Sequence, residues 1–279
     1  MQESNYLKLV DNNYRLRQSK QYHLNVRLTA SSFSYNVFDP AQGKFIALFD
    51  TRSAGQEINI KPYIEEDDLL KQSFGITRLM FTSGHFLLLP EELYEQEKID
   101  ALFKSAFHTV GEVIINNPVK TLNARLLASL EKEEHDTLVG NFEKAYLFHE
   151  GGPFITGLQQ QYENAEQSFL ALNVESHYME IAFLIGGKLQ FYNRFTFENP
   201  DQFIYFPLLV CKQLGLDPSE VNLLLSGVID EASGLYKLLH TYFRHLDFCE
   251  LPGNLKYSKR LFDVPQHYFY SLMNLELCG

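Results

Sequence analysis

Leu24-Asn25-Val26-Arg27 and Leu172-Asn173-Val174-Glu175 head two stretches of this chain that follow the same plan. From Leu24 the sequence alternates apolar and polar residues, turns at Gly43-Lys44, passes a helix-like segment and reaches Ser83-Gly84. From Leu172 it alternates again, turns at Gly187-Lys188 and reaches Ser226-Gly227. The intervals from turn glycine to closing glycine are nearly equal. Two copies with one element order imply two related lobes facing a cleft.

Working outward, Leu24, Val26 and Leu28, then Phe33, Tyr35 and Val37, recur at period two, the signature of half-buried strands. Residues 23–50 therefore read as two or three strands. Acidic residues early in 65–74 favour a short helix there. Residues 78–81 and 85–89 read as strands, and Pro90 opens a helix running to about Phe107. Further strands are expected over 110–115, 122–130 and 145–149, with a helix over 131–142. Gly151-Gly152-Pro153 reads as a tight loop before a helix over 154–165. In the second copy, 169–174, 179–185 and 189–197 form a meander whose last two strands join at Gly186-Gly187. Asn199 caps a helix with Pro200 first, which ends at Gly215; Pro207 inside it predicts a kink or a later start. A strand over 221–225 broken at Gly227, a helix over 233–243, and one or two strands beyond Leu251 complete the pattern. Strand groups alternating with helices make this an α/β chain with mixed sheets.

At 279 residues the chain is long enough for two domains with their own cores. Its longest apolar runs are far short of the roughly 20 residues of a membrane span, and residues 1–17 are polar, unlike a signal peptide. Three cysteines without close spacing give neither a disulfide framework nor a zinc site, so a reducing cytoplasm is expected. The net charge of −11 opposes binding to nucleic acid or anionic lipid and leaves a protein partner.

The order three strands, helix, strand, helix in each half resembles the repeat unit of the actin, hexokinase and sugar-kinase superfamily, over roughly residues 22–248. Leu223-Leu224-Leu225-Ser226-Gly227 and the helix after it resemble the adenosine-binding strand, turn and helix of its bacterial pilus-assembly and cell-division members. As a whole the chain resembles an uncharacterised bacterial family with an actin-like ATPase fold. The resemblance implies a duplicated actin-like ATPase (ribonuclease H-like) fold with two mixed-sheet lobes and a cleft. It places an N-terminal extension at 1–21, a first lobe at 22–165 with an inserted subdomain at about 108–150, and a second lobe at 166–279.

Active members of that superfamily begin each lobe with Asp-x-Gly. The matching positions here are Asn25-Val26-Arg27 and Asn173-Val174-Glu175. Asn lacks the charge a hard cation prefers, and Glu175 stands where a glycine would approach phosphate. The adenosine Gly-Gly turn is reduced to Gly227-Val228, after Ser226. The resemblance therefore implies a degenerate nucleotide cleft at Asn25, Arg27, Asn173, Glu175, Ser226 and Gly227, with no catalytic residue, no metal ligand and no bound ATP or magnesium. The expected role is a non-catalytic cytoplasmic scaffold or protein-binding module. The alternative is a divergent ATPase or small-molecule kinase binding Mg-ATP, with Asp11, Asp39, Glu175 or Asp230 as its acids.

Other constellations carry less. His149-Glu150-Gly151-Gly152-Pro153 lacks the Lys and Ser/Thr of a phosphate loop. Ser83 and His85 lack an orienting acid. His240, His245 and His267, with Cys249 and Cys278, lack metal-ligand spacing. In residues 191–197, alternation sends Phe191, Asn193, Phe195 and Phe197 to one face and Tyr192, Arg194 and Thr196 to the other. That strand is expected in the core, or alternatively at a partner surface.

Overall fold

The computed structural model describes residues 6–12, 14–53, 58–108, 111–142 and 144–279. The chain forms two compact units. One comprises 1–153, 253–264 and 275–279; the other comprises 154–252 and 265–274. The boundary between these units falls at Pro153/Phe154, and parts of the tail belong to each unit.

In the first unit the elements run β1 (Tyr6–Val10), β2 (His23–Leu28), β3 (Ser32–Asp39), β4 (Lys44–Arg52), α1 (Lys61–Glu66), β5 (Ile76–Phe81) and β6 (Phe86–Pro90). They continue with α2 (Ile99–Phe107), β7 (Val113–Val119), β8 (Ala124–Leu130), α3 (Lys132–Asn141) and β9 (Tyr146–His149). A seven-stranded sheet has the order β1-β4-β3-β2-β5-β9. Its seventh strand, Lys256–Tyr257, pairs parallel with β4. β2 is antiparallel to β3 and parallel to β5, and β5 is parallel to β9. A separate three-stranded sheet, β6-β8-β7, carries α2 through Ile99, Phe103 and Leu127.

After α4 (Gly151–Gln161) the second unit runs β10 (Ser168–Val174), β11 (Tyr178–Ile185), β12 (Lys188–Thr196), α5 (Pro200–Leu214), β13 (Asn222–Gly227), α6 (Gly234–Tyr242) and β14 (His245–Phe248). Two late elements follow in the chain: β15 (Lys256–Tyr257), which belongs to the first unit, and α7 (Tyr270–Asn274), which belongs to the second. The sheet order β12-β11-β10-β13-β14 has the same directions as β4-β3-β2-β5-β9: antiparallel, antiparallel, parallel, parallel. Strand alternation decides the layers. Leu170, Leu172 and Val174 face Phe203, Val210, Leu239 and Phe243 of α5 and the α6 region. Ala171, Ala182 and Leu224 face Phe154, Leu158 and Tyr270 of α4 and α7. Each of the Leu, Val and Phe side chains, fully buried, contributes roughly 1.5–3 kcal/mol to this packing.

Local chemistry explains most boundaries. Gly186 and Gly187, with φ of 54° and 70°, give the two-residue turn whose twist suits the β11–β12 hairpin. Asn199 Oδ1 accepts from the Gln202 N–H at 2.9 Å, and Gly215 ends α5 at φ 69°. Residues 191–197 obey the expected alternation: Phe191 and Phe195 pack with the α5 side, and Tyr192 with the opposite cluster.

Several expectations are corrected. Residues 6–10, within the expected extension, form β1 on the sheet edge. The helix foreseen over 65–74 lies at Lys61–Glu66, where Pro62 sits in the first turn. Pro90 closes β6 instead of opening a helix; two short 3-10 turns follow and α2 starts only at Ile99. The strand expected over 110–115 is β7, Val113–Val119, and Val110 lies outside the described residues. Gly151-Gly152-Pro153 is the first turn of α4, where proline removes an N–H that has no helical partner anyway. α5 starts at Pro200 and continues past Pro207, so no late start occurs. β13 includes Gly227 rather than stopping before it, and β14 was not foreseen. Beyond Leu251 one strand, of two residues, forms as expected, among short helical turns that were not expected.

Candidate functional site

Sheet register places the two lobe-opening asparagines in equivalent settings. Asn25 lies opposite Asn36 of β3 and Arg78 of β5. Asn173 lies opposite Glu180 of β11 and Ser226 of β13. Both point from the faces opposite Leu24/Val26 and Leu172/Val174, because alternate residues share a face.

In the first unit Asn25 is 0% exposed. Its Nδ2 donates to Asn36 Oδ1 at 2.9 Å and to Glu276 Oε2 at 3.1 Å, while Oδ1 accepts from Arg78 Nη1 at 3.4 Å. Arg78 also donates from Nη1 to Glu276 Oε2 and from Nε to the Cys278 carbonyl, both at 3.0 Å. His23 Nδ1 lies 2.8 Å from Glu276 Oε1. Arg27 lies beyond this group: Nη1 donates to Ser32 Oγ at 3.3 Å and Nη2 is 3.7 Å from Glu150 Oε2, with both charges buried. Burying such charges is tolerable only with partners close by, and each has them.

In the second unit Asn173 Nδ2 donates to Glu180 Oε2 at 2.7 Å, and Ser226 Oγ donates to Asn173 Oδ1 at 3.1 Å. The Tyr192 hydroxyl donates to the other Glu180 oxygen. Glu180 is 0% exposed in mid-strand. Glu175 is also buried, its N–H donating to the Tyr178 carbonyl at 2.8 Å. Gly227 has φ 80°, and a Cβ there would stand 2.1 Å from the Val174 carbonyl oxygen. That glycine is fixed by backbone crowding.

Of the six sequence-derived positions, Asn173 and Ser226 bond directly. Gly227 follows in register opposite Val174. Asn25 and Arg27 belong to separate polar groups of the first unit. Sequence reading missed Arg78, Glu180 and Glu276. Arg78 and Glu180 could have been found as lone charges inside the apolar runs Ile76–Phe81 and Tyr178–Ile185. Glu276 had no such signal.

The alternative acids are engaged in local structure. Asp11 pairs with Lys44 at 2.7 Å. Asp39 accepts from the Ala41 N–H at 3.0 Å in its turn. Asp230 takes the Tyr268 hydroxyl and the Ala232 and Ser233 N–H groups at 2.9 Å. Chiefly the Tyr268 bond holds its carboxyl below the usual range. His149 Nδ1 accepts from the Gly151 N–H at 3.1 Å, which caps α4. His267 stacks on Phe248 with centroids 3.9 Å apart and bonds the Ile229 carbonyl at 2.7 Å; burial lowers its pKa. Among the described residues no three His, Cys, Asp or Glu side chains converge as a metal site. No helix of the described residues is long and apolar enough to cross a membrane.

The three cysteines are buried and free. Burial pushes the Cys211 thiol up to about 11 and Cys249 up to about 12. Only thiolate reacts, so at roughly pH 8 both should react with a disulfide reagent at least about a hundredfold more slowly than in denaturant. Time-resolved thiol titration checks this; native rates matching the unfolded ones would contradict the core placement.

Among solved structures, the chain is similar to a Bacteroides thetaiotaomicron protein with an actin-like ATPase fold and unknown function. The TM-score is 0.75 and identity 23%, covering 85% of this chain and 93% of that one. It is also similar to a chain of the PilM–PilN type IV pilus biogenesis complex, with TM-score 0.60 and identity 12%, covering 91% and 97%. No curated protein matches the sequence. Residues 11–246 match the family described as protein of unknown function DUF3822. The equivalent strand orders and these likenesses together give the actin-like ATPase fold, and the chain belongs to the DUF3822 family.

Proposed function

We propose that this protein is a non-catalytic member of the actin-like ATPase fold that acts in the cytoplasm as a binding or scaffold module for another protein. The observation that carries this reading is the chemistry at the two lobe openings. Where magnesium and phosphate would need a carboxylate and an open backbone, Asn25 and Asn173 have both ends of their amides bonded within the protein. The nearby carboxylates Glu276 and Glu180 are themselves held by neighbouring donors. This donor set does not fit a hydrated magnesium ion, which favours carboxylate oxygens it can reach with its waters.

Matched strand order and register support descent of the two halves from one duplicated unit. The occurrence of this fold in the PilM–PilN complex is a precedent for a protein partner. Buried reduced thiols agree with the cytoplasm. Isothermal titration with magnesium-ATP tests the reading. We expect no saturable heat at up to about millimolar nucleotide, whereas a micromolar Kd would overturn it.

A further inference from the structure

Three donors from two strands of the first unit converge on one carboxylate that arrives from far along the chain. Arg78 Nη1, Asn25 Nδ2 and His23 Nδ1 lie 3.0, 3.1 and 2.8 Å from the oxygens of Glu276. The Glu276 and Arg78 side chains are 8% and 10% exposed. The segment bearing this carboxylate is further fastened by Arg78 Nε to the Cys278 carbonyl at 3.0 Å and by Lys120 Nζ to the Gly279 carbonyl at 2.7 Å. Leu275 beside it is fully buried.

We propose that His23, Asn25 and Arg78 form an anion-binding cradle whose resident ligand is the chain's own Glu276, so that residues 275–279 act as an internal plug. The chemistry is that of a carboxylate receptor. A guanidinium and an amide N–H converge on one oxygen, and a ring nitrogen meets the other; charge-assisted bonds of this kind are about twice as strong as neutral ones. Asn36 bonds the Asn25 side chain, and the β2–β3–β5 register fixes the backbone positions of all three donor residues independently of Glu276. Removing the Glu276 side chain would therefore leave a shaped, positively charged pocket open to a small carboxylate. With Glu276 in place, the same donors are unavailable to any external anion.

The proposal does not rest on the non-catalytic reading. That reading falls with nucleotide binding by the unaltered protein, and this one with the behaviour of variants. The test is thermal unfolding of the full chain with sodium formate or acetate, against sodium chloride at equal ionic strength. The unaltered protein should respond identically to all three salts. Glu276→Ala should melt lower and be restored in part, saturably, by formate. Glu276→Ala combined with Arg78→Leu should lose that response.

No rescue of Glu276→Ala, or equal rescue by chloride, would overturn the cradle. Rescue of the unaltered protein would overturn the plug. If Glu276→Ala does not fold, Glu276→Gln keeps the volume without the charge. Its folding equilibrium constant should fall by about a hundredfold in urea titration, as when one partner of a buried ion pair is removed. A value equal to that of the unaltered protein would refute the proposal.

Discussion

Gly227→Ala is expected to destabilise the second unit by about 3–5 kcal/mol, at the upper end of single substitutions. Two costs combine. At φ 80° an L-residue is strained by roughly 1–2 kcal/mol. The added Cβ would also stand 2.1 Å from the Val174 carbonyl oxygen and 2.8 Å from its nitrogen. Both are backbone atoms of the central strand β10, so relief requires moving a strand paired on both sides. The Val228 N–H bond to the same carbonyl, at 2.7 Å, would be displaced with it. Urea unfolding followed by circular dichroism measures the loss. A change below about 1 kcal/mol would mean that the β10–β13 crossing is looser than described.

Asn173→Asp restores the residue type of an active superfamily member and should be harmful here. Its carboxylate would meet Glu180 Oε2 across the present 2.7 Å contact, in a site where both residues are buried. Two carboxylates in contact cannot both ionise, so the pair retains a proton and titrates as a unit. The folded pKa of that retained proton lies above the ordinary unfolded value near 4. A raised folded pKa means that the native state binds more protons than the unfolded one. Relative to the unaltered protein, the deficit is therefore smallest below about pH 4 and grows as pH rises through the folded value. At neutral pH it should reach about 3 kcal/mol or more.

Parallel urea titrations from acid to neutral pH check both size and sign. A deficit that stays constant with pH would remove the contact from consideration. A stable variant that gained magnesium-dependent nucleotide binding would show that one substitution had separated this site from function.

How much was readable beforehand differs by element. Period-two alternation located β2, β3, β4, β10, β11 and β12, because each buries one or both faces against a layer and so carries its pattern openly. The Asn199 cap, Pro200 and the closing Gly215 located α5 for equally local reasons. Between residues 61 and 107 β5 and β6 were read, but the helices on either side were misplaced, because the helical turns there are short and Pro90 serves a strand end rather than a helix start. β1 and β14 escaped because edge strands of four or five residues have little apolar pattern of their own; the rest of each sheet supplies their hydrogen-bond partners.

The sequence by itself determined the repeated plan and the placement of Asn25 and Asn173 at corresponding strand positions. Those properties lie in local periodicity and in the residue types themselves. Only the tertiary structure decided what the asparagines touch. Strand register set Asn36, Arg78, Glu180 and Ser226 beside them, and the returning tail brought Glu276 to Arg78 across most of the chain. Buried polar groups take their partners from whatever the fold brings within about 3 Å, and one-dimensional spacing does not encode that.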